Sequence, residues 1–315
     1  MTTQQLNSEQ WKGVKAISDE LEASYWVPMI ATPFAALDEL VEKTSLDVLV
    51  LKQALAAFRV NLHAAKELLE MPYMLVAPLV PLAVAPGQLG NDGEPMTFEQ
   101  EAAAIDVMAK TLKTSKEVFA SRPELQRLMQ QACLLIWAAF ETYAKTVFIA
   151  VLNKRPSLYA VLLKNQGLKE RFGLQQASWP GILEAHSYDL NGKLGTIIGA
   201  DKDFSSPQLL KDLFPYLFAD LPGVHDKFMA PFDSKDFWRL GQRRHLIAHR
   251  CGIVDDEYLR RTDDESQNLG ESLKLRGRDL GDALKIAAQL AIGIYGRARF
   301  CWYSQEQINR AIGST

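Results

Sequence analysis

One long apolar segment, from Pro123 to Lys154, constrains the fold more than any other part of the sequence. Its central residues, LMQQACLLIWAAFETYAKTVFIAVL, are apolar around most of the circumference of a helix, which is typical of a helix packed by several neighbours. We therefore predict a central helix with Glu141 as its polar exception. That carboxylate can face solvent, cap a neighbouring turn, or hold a basic helix in place.

The remaining apolar patterns also have helical spacing, and the chain shows no repeat and no convincing run of alternating strands. The sequence therefore predicts an all-α protein. A proline- and glycine-rich stretch, 78–95, is the clearest breaker. We expect an N-terminal helical region at 1–120 and a second domain at 121–305, in which a less regular insertion occupies about 156–233. The longer predicted helices outside the central one are 8–25, 45–70, 97–120 and 279–302.

The chain has 315 residues, 23% of them charged, a net charge of -3 and a pI near 6.0. It is not a polycation, so any contact with nucleic acid must come from a local basic patch. Its three cysteines are far apart and form no CxxC pair, which argues against a disulfide framework and favours a reducing cytoplasm. We expect no membrane segment, because the apolar run from Met74 to Pro86 is short and holds three prolines.

The segment from Phe237 to Tyr258, FWRLGQRRHLIAHRCGIVDDEY, concentrates basic residues in one helix-like run. On a helical wheel, Arg244 falls within the apolar arc, where a buried guanidinium requires a carboxylate, a subunit interface or an anionic ligand. The arc consists of Phe237, Leu240, Gly241, Ile247 and Ala248. A separate side of the helix carries Arg239, Arg243 and Arg250, which we predict to form a solvated basic stripe suited to binding substrate.

Two histidines, His245 and His249, share a face of the same predicted helix, and Gly252 is its expected C-cap. Their HxxxH spacing is compatible with a metal-binding site, but the sequence lacks the glutamate of HExxH and a nearby third His or Cys ligand. The acidic residues 255–257 more plausibly cap and start the next short helix. We therefore predict no metal ion and no cofactor.

The run Arg244-His-Leu-Ile-Ala-His249 resembles the Arg-x4-6-His motif of the HEPN (higher eukaryotes and prokaryotes nucleotide-binding) superfamily, with a polar residue directly after the arginine. The following RCGIVDDEYL is similar to the segment after the motif in many prokaryotic members. The resemblance covers about 121–302, where a long apolar helix precedes the motif and another helix follows it. The long segment at 156–233 departs from compact members of the family. The implied fold is a HEPN-like helical bundle with an additional N-terminal helical region.

The resemblance implies metal-independent RNA cleavage at a dimer cleft in the cytoplasm, with no membrane involved. His249 would move a proton, Arg244 would bind phosphate, His245 would assist, and a two-fold axis would bring two copies into one composite site. Attack by the ribose 2′-hydroxyl would leave a 2′,3′-cyclic phosphate. Members often act as toxins or phage-defence effectors, so an antitoxin or regulatory protein is a further expected partner.

The register of the motif is not unique, because Arg243 with His249 and Arg239 with His245 also satisfy the spacing. The arc position and its polar successor favour Arg244. Three functions stay open at this point: an active HEPN endoribonuclease, a catalytically silent HEPN protein that binds RNA, nucleotide or a protein partner, and a structural helical protein whose basic helix forms ion pairs.

Overall fold

The computed structural model describes residues 31–43, 48–76, 123–174, 178–219, 221 and 225–303. These residues form helices joined by turns, with no β-strand in the described ranges and one isolated bridge between Ile253 and Ser272. The all-α prediction is confirmed. The predicted helices at 8–25 and 97–120 lie outside the described residues.

Twelve α-helices can be followed through the described part of the chain. They are α1 (Ala31–Lys43), α2 (Leu49–Val76), α3 (Pro123–Lys154), α4 (Leu158–Leu162), α5 (Gln166–Phe172), α6 (Trp179–Ala185), α7 (Leu194–Gly199), α8 (Pro207–Leu217), α9 (His225–Asp233), α10 (Lys235–Arg250), α11 (Asp256–Thr262) and α12 (Gly277–Ala298). A 3-10 helix, Arg299–Trp302, follows α12.

Helix α3 is the central helix that the sequence predicts, and α2, α7, α10 and α12 pack against it. It is long and apolar enough to cross a membrane by length and composition alone, but 56% of its most apolar window is buried inside the protein. Core helices of soluble proteins pass the same test. The Tyr143 hydroxyl donates a hydrogen bond of 2.9 Å to the Ala291 carbonyl, which ties α3 to α12.

The described part of the N-terminal region shares one hydrophobic core with the rest of the chain. Helices α1 and α2 pack on each other and on α12, and the ring of Phe58 on α2 lies 5.2 Å from that of Tyr143 on α3. The domain boundary near residue 120 stays a prediction. Helix α1 was missed in the sequence, because Pro28 and Pro33 suggested a break; Pro33 in fact lies in the first turn of α1, where proline is tolerated.

The insertion at 156–233 is helical in its described residues. Six helices, α4 to α9, occupy it. The segment from Asp189 to Gly192, whose residue types also suit a hairpin turn, joins α6 to α7, and Gly192 takes the left-handed conformation with φ of 65°. Turn chemistry alone cannot distinguish a helix connection from a hairpin, because both use the same residues.

Gly241 sets how closely α10 approaches its neighbours. A Cβ at this position would lie 2.2 Å from Cγ of Pro207, the first residue of α8, and 3.3 Å from Cη2 of Trp137 on α3. Only a residue without a side chain permits this contact. The three helices therefore meet one turn before Arg244, the arginine of the predicted motif.

We expect Gly241→Ala to lower the free energy of unfolding, because about 1–3 kcal/mol of overpacking outweighs the gain of about 1 kcal/mol in helix propensity. Gly296 in α12 is the matched control, since a Cβ there would meet nothing within 4 Å. Gly296→Ala should stabilise the protein by about 1 kcal/mol. Urea unfolding compares the two variants, and equal stabilities would contradict the close contact.

Candidate active site on helix α10

Helix α10 is held at both ends by local interactions that the sequence encodes. Ser234 is its N-cap and accepts a hydrogen bond of 3.2 Å from the Phe237 amide. At the other end Cys251, with φ of 52°, takes the left-handed conformation, and the Gly252 amide donates to the Leu246 carbonyl at 3.0 Å. The C-cap is therefore Cys251, one residue before the predicted Gly252.

The structure reverses the predicted placement of the two adjacent arginines. Arg243 is buried, with 6% of its surface exposed, whereas Arg244 is only half-buried. The expected burial of Arg244 within the apolar arc and the expected solvent exposure of Arg243 are both wrong. A helical wheel shows only the average direction in which the apolar side chains of a helix point. Arg243 is buried because two carboxylates on other elements pair with it.

Arg243 is the centre of a buried ion network. Its Nη2 lies 3.2 Å from Oδ2 of Asp264 and 3.1 Å from Oδ1 of Asp279, and its Nε donates to the Tyr258 hydroxyl at 3.3 Å. The Tyr258 hydroxyl in turn donates to Asp264 at 2.8 Å. The network joins α10, α11, the loop after α11 and the start of α12. The Arg243 guanidinium therefore faces carboxylates of its own chain rather than solvent.

The network shifts the pKa of each acidic partner downward. Burial acts to raise the pKa of Asp264, but hydrogen bonds from Ser266 and Tyr258 and the charge of Arg243 outweigh it, so the pKa is lowered. Burial likewise acts to raise the pKa of Asp279, and the charge of Arg243 and the hydrogen bonds from Arg276 lower it below the ordinary value. For Tyr258, burial dominates and raises the pKa to about 12. Both carboxylates are thus stabilised in their ionised forms.

These pKa directions predict an acid-labile fold. Carboxylates with depressed pKa values in the folded state stabilise it above their unfolded pKa of about 3.9, and this contribution is lost as the pH falls through the folded values. We expect the free energy of unfolding to fall below about pH 4, and Asp264→Asn to lower it at neutral pH and to flatten this acid dependence.

Asp282 is a control whose substitution should change stability in the opposite direction, because burial and the charge of Asp236 raise its pKa. Its ionised form opposes folding, so Asp282→Asn should increase stability at neutral pH. Urea unfolding of both variants between pH 2.5 and 7 measures the difference. An unchanged acid slope in Asp264→Asn would contradict the role of the network.

Arg244 and His249 meet directly at the C-terminal end of α10. Nη1 of Arg244 lies 3.2 Å from Nε2 of His249, and the rings of His245 and His249 are 4.9 Å apart between centroids. Both histidines are exposed. Because a guanidinium only donates hydrogen bonds, Nε2 of His249 can only accept in this contact. The structure brings together the three residues predicted as catalytic.

Two carboxylates flank Arg244 from other parts of the fold. Glu141 on α3 is half-buried, and its pKa is raised because burial outweighs the opposing charge of Arg244. The second is Asp203, before α8: burial acts to raise its pKa, but the hydrogen bonds from Ser205 and the charges of Arg171 and Arg244 lower it. Arg244 thus contacts one imidazole and interacts electrostatically with two carboxylates.

Trp137 lies beside one of these carboxylates, and a local turn positions the other. Trp137, one turn before Glu141, is buried, and its indole Nε1 has no hydrogen-bond partner of ordinary geometry in the described structure. It nevertheless lies close enough to favour the ionised form of Glu141. The Asp203 carboxylate accepts from the amide and hydroxyl of Ser205 at 2.8 and 2.9 Å. Asp203 was missed in the sequence, where its DFSSP context indicates only a helix cap.

The other two predicted substrate-binding arginines lie apart from this pair. Arg239 is half-buried beside a small cavity, and its Nε is buried without a hydrogen-bond partner in the described ranges. Arg250 is exposed and lies 3.6 Å from Asp255 across a surface ion pair. Because Arg243 is buried between them, the predicted stripe is interrupted.

The acidic residues after α10 have the capping role that the sequence favours. Asp255 is the N-cap of α11 and accepts from the Tyr258 amide at 2.8 Å. In the part of the chain that the structure describes, no group of three His, Cys, Asp or Glu side chains could hold a metal ion.

Comparison with known proteins adds no relative: the chain matches no family model, no curated protein and no solved structure. The likeness to the HEPN superfamily therefore depends on the motif from Arg244 to His249 and its helical setting.

Proposed function

We propose that this protein is a metal-independent endoribonuclease of HEPN type, in a HEPN-like bundle. The observation that carries the proposal is the contact of 3.2 Å between Nη1 of Arg244 and Nε2 of His249 at an accessible helix end. An anion-binding group and a proton-transfer group thus lie side by side, as phosphodiester transfer requires. Arg244 rather than Arg243 is the motif arginine in this proposal, because Arg243 is committed to Asp264 and Asp279.

The reaction uses the 2′-hydroxyl of the RNA as nucleophile. A phosphoryl oxygen of the substrate replaces His249 as the hydrogen-bond partner of Arg244, and this exchange frees Nε2 to accept the 2′-hydroxyl proton. The 2′-oxygen forms a bond to phosphorus, the bond from phosphorus to the 5′-oxygen breaks, and an imidazole donates a proton to that oxygen. The products are a 2′,3′-cyclic phosphate and a 5′-hydroxyl. The second imidazole is His245 or the His249 of a second copy.

The carboxylates beside Arg244 have two opposing effects on this reaction. Glu141 and Asp203 orient the guanidinium by their charge, so less conformational freedom is lost when substrate binds. Their negative charge also repels the phosphate, which lowers the affinity for RNA. Support of Arg244 by Glu141 is therefore part of the proposal, and Asp203 joins it.

The wider setting follows from the same proposal. RNA is the substrate, the active form is a homodimer with a composite site, and the reaction takes place in the cytoplasm without membrane involvement. A toxin or phage-defence role would require an antitoxin or regulatory protein that restrains the exposed site. Arg250, exposed on the same helix end, adds positive charge for RNA.

A second candidate function is that of a catalytically silent HEPN protein that binds RNA, nucleotide or a protein partner. The two carboxylates beside Arg244 favour it, because they weaken the stabilisation of extra negative charge in a transition state. Such a protein would bind RNA with an affinity that falls steeply with salt and would leave it intact.

A cleavage assay on synthetic RNA in excess EDTA tests the first function. We expect cleavage to persist, the products to carry 2′,3′-cyclic phosphate and 5′-hydroxyl ends, and a DNA oligonucleotide of the same sequence to stay intact because it lacks the 2′-hydroxyl. Intact RNA at every concentration, or cleavage that EDTA abolishes, would overturn the assignment.

A further inference from the structure

Two exposed imidazoles lie side by side near the C-terminal end of α10. His245 and His249 are four residues apart, so they share one face of the helix, and their ring centroids are 4.9 Å apart. The HExxH motif uses the same spacing to place two zinc ligands on one helix face. The pair therefore has the arrangement of a chelating site, a property that RNA cleavage does not use.

The separation of the two rings matches that of two imidazoles bound to one metal ion. A Zn–N bond is about 2.0–2.1 Å long and the ring centroid lies about 1.1 Å behind the nitrogen, so each centroid is about 3.2 Å from the ion. At the tetrahedral angle of about 109° that Zn²⁺ prefers, the centroids of two such ligands are about 5 Å apart. The observed 4.9 Å is thus the distance that a shared ion requires.

The charges around the pair have opposing effects on a cation. His249 lies in the last turn of α10, where the partial negative charge of a helix C-terminus favours a cation. Arg244 opposes it, because its Nη1 lies 3.2 Å from Nε2 of His249. Glu141 on α3 and Asp203 before α8 attract the same guanidinium by their charge. An ion at Nε2 would therefore displace Arg244 towards these carboxylates.

We propose that His245 and His249 form a reversible two-ligand site for a transition-metal dication such as Zn²⁺, in which the ion replaces Arg244 at Nε2 of His249. Imidazole suits Zn²⁺, Cu²⁺ and Ni²⁺, whereas Mg²⁺ and Ca²⁺ require oxygen ligands. No third His, Cys, Asp or Glu side chain joins the pair in the described residues, so water completes the coordination. Such an ion exchanges with solvent and is not a resident cofactor.

An ion at this site would inhibit the proposed nuclease. It would occupy the nitrogen of His249 that accepts the 2′-hydroxyl proton, and it would move Arg244 from the position beside it. Zn²⁺ is thus a reversible inhibitor that EDTA removes, which agrees with cleavage that needs no metal ion. Only this consequence rests on the proposed function, because binding of the ion requires no RNA.

Isothermal titration calorimetry of the metal-free full chain with ZnCl₂, without RNA, tests the proposal. We expect one Zn²⁺ per chain with a dissociation constant of about 1–200 µM, since two ligands supply about half the binding free energy of a four-ligand zinc site. MgCl₂ should give no binding. His245→Ala and His249→Ala should each raise the dissociation constant for Zn²⁺ by about 10-fold or more, because a single imidazole remains.

Arg244→Ala should change the affinity in the opposite direction. Removing the guanidinium takes away the positive charge that competes for Nε2 of His249, so the dissociation constant for Zn²⁺ should fall by about 3- to 10-fold. An unchanged constant in this variant would overturn the replacement of Arg244 by the ion. Circular dichroism confirms that the substitutions leave the helices intact.

His186→Ala and Cys251→Ser are the matched controls. His186 is the C-cap of α6 and has no second histidine four residues away, and Cys251 is an exposed thiol two residues after His249. Both variants should bind Zn²⁺ as the wild type does. A wild type that binds no Zn²⁺, or equal dissociation constants for His249→Ala and His186→Ala, would overturn the inference. Because the titration contains no RNA, neither result depends on whether the protein cleaves it.

Discussion

Replacing Arg243 by alanine is expected to lower the free energy of unfolding by about 3–5 kcal/mol, the cost of breaking a buried ion network by removing one partner. The loss follows from the geometry, because Asp264 and Asp279 both depend on the same guanidinium nitrogen, at 3.2 and 3.1 Å. Without it, Asp264 loses its ion-pair partner and Asp279 keeps only the exposed Arg276. Urea unfolding at pH 7 measures the effect.

The neighbouring arginine supplies the control for this experiment. Arg244 is half-buried, and Arg244→Ala should change the free energy of unfolding by only about 0.5 kcal/mol. Similar losses of unfolding free energy in Arg243→Ala and Arg244→Ala would contradict a specific stabilising role of the buried network. Arg243→Met should recover part of the loss, because its unbranched apolar side chain fills space that alanine leaves empty.

The largest effect on activity is expected at His249 and Arg244. Removing the imidazole by His249→Ala should lower kcat for RNA cleavage by about 10²- to 10⁴-fold, the usual contribution of general acid–base catalysis. Removing the guanidinium by Arg244→Ala should lower it by about 10²- to 10³-fold, since charge on the phosphoryl oxygens loses its donor. Both variants should keep the stability of the wild type, because both side chains lie at the surface end of α10.

Arg250→Ala is the matched control, since Arg250 is the next residue after His249 and is exposed. Its effect should be limited to weaker RNA binding at low salt, with kcat unchanged. Wild-type cleavage rates in both His249→Ala and Arg244→Ala would show that this site does not carry the activity. If the wild type binds RNA but does not cleave it, the result would instead favour a catalytically silent HEPN protein.

The sequence predicted those parts of the fold in which apolar periodicity is strong. Helices α3 and α12 extend close to the predicted limits, Pro123–Lys154 and 279–302, because a long apolar pattern determines a helix almost regardless of its neighbours. Helix α1 escaped prediction because prolines were taken as breakers when one of them occupies a first turn. Short helices such as α5 and α7 depend on packing against α3, which no local pattern reveals.

The candidate site was predicted in its members but not in its arrangement. The spacing from Arg244 to His249 predicted that both side chains share one helix end, and the contact between them follows from that spacing. The sequence could not show which of the two adjacent arginines is buried, because the carboxylates that pair with Arg243 are 21 and 36 residues away from it. Asp203 reaches Arg244 only through the fold of the insertion, so the motif itself contains no sign of it.

The central position of α3 has a consequence for how this chain folds during synthesis. Its Gln130 side chain donates to the Leu273 carbonyl, 143 residues later, and its Tyr143 hydroxyl donates to the Ala291 carbonyl, 148 residues later. At about 5–20 residues per second, a ribosome needs about 7–30 s to produce α12 after α3 has emerged. During that interval this long, apolar central helix lacks its last covering partner, and a chaperone that binds apolar helices would meet it there.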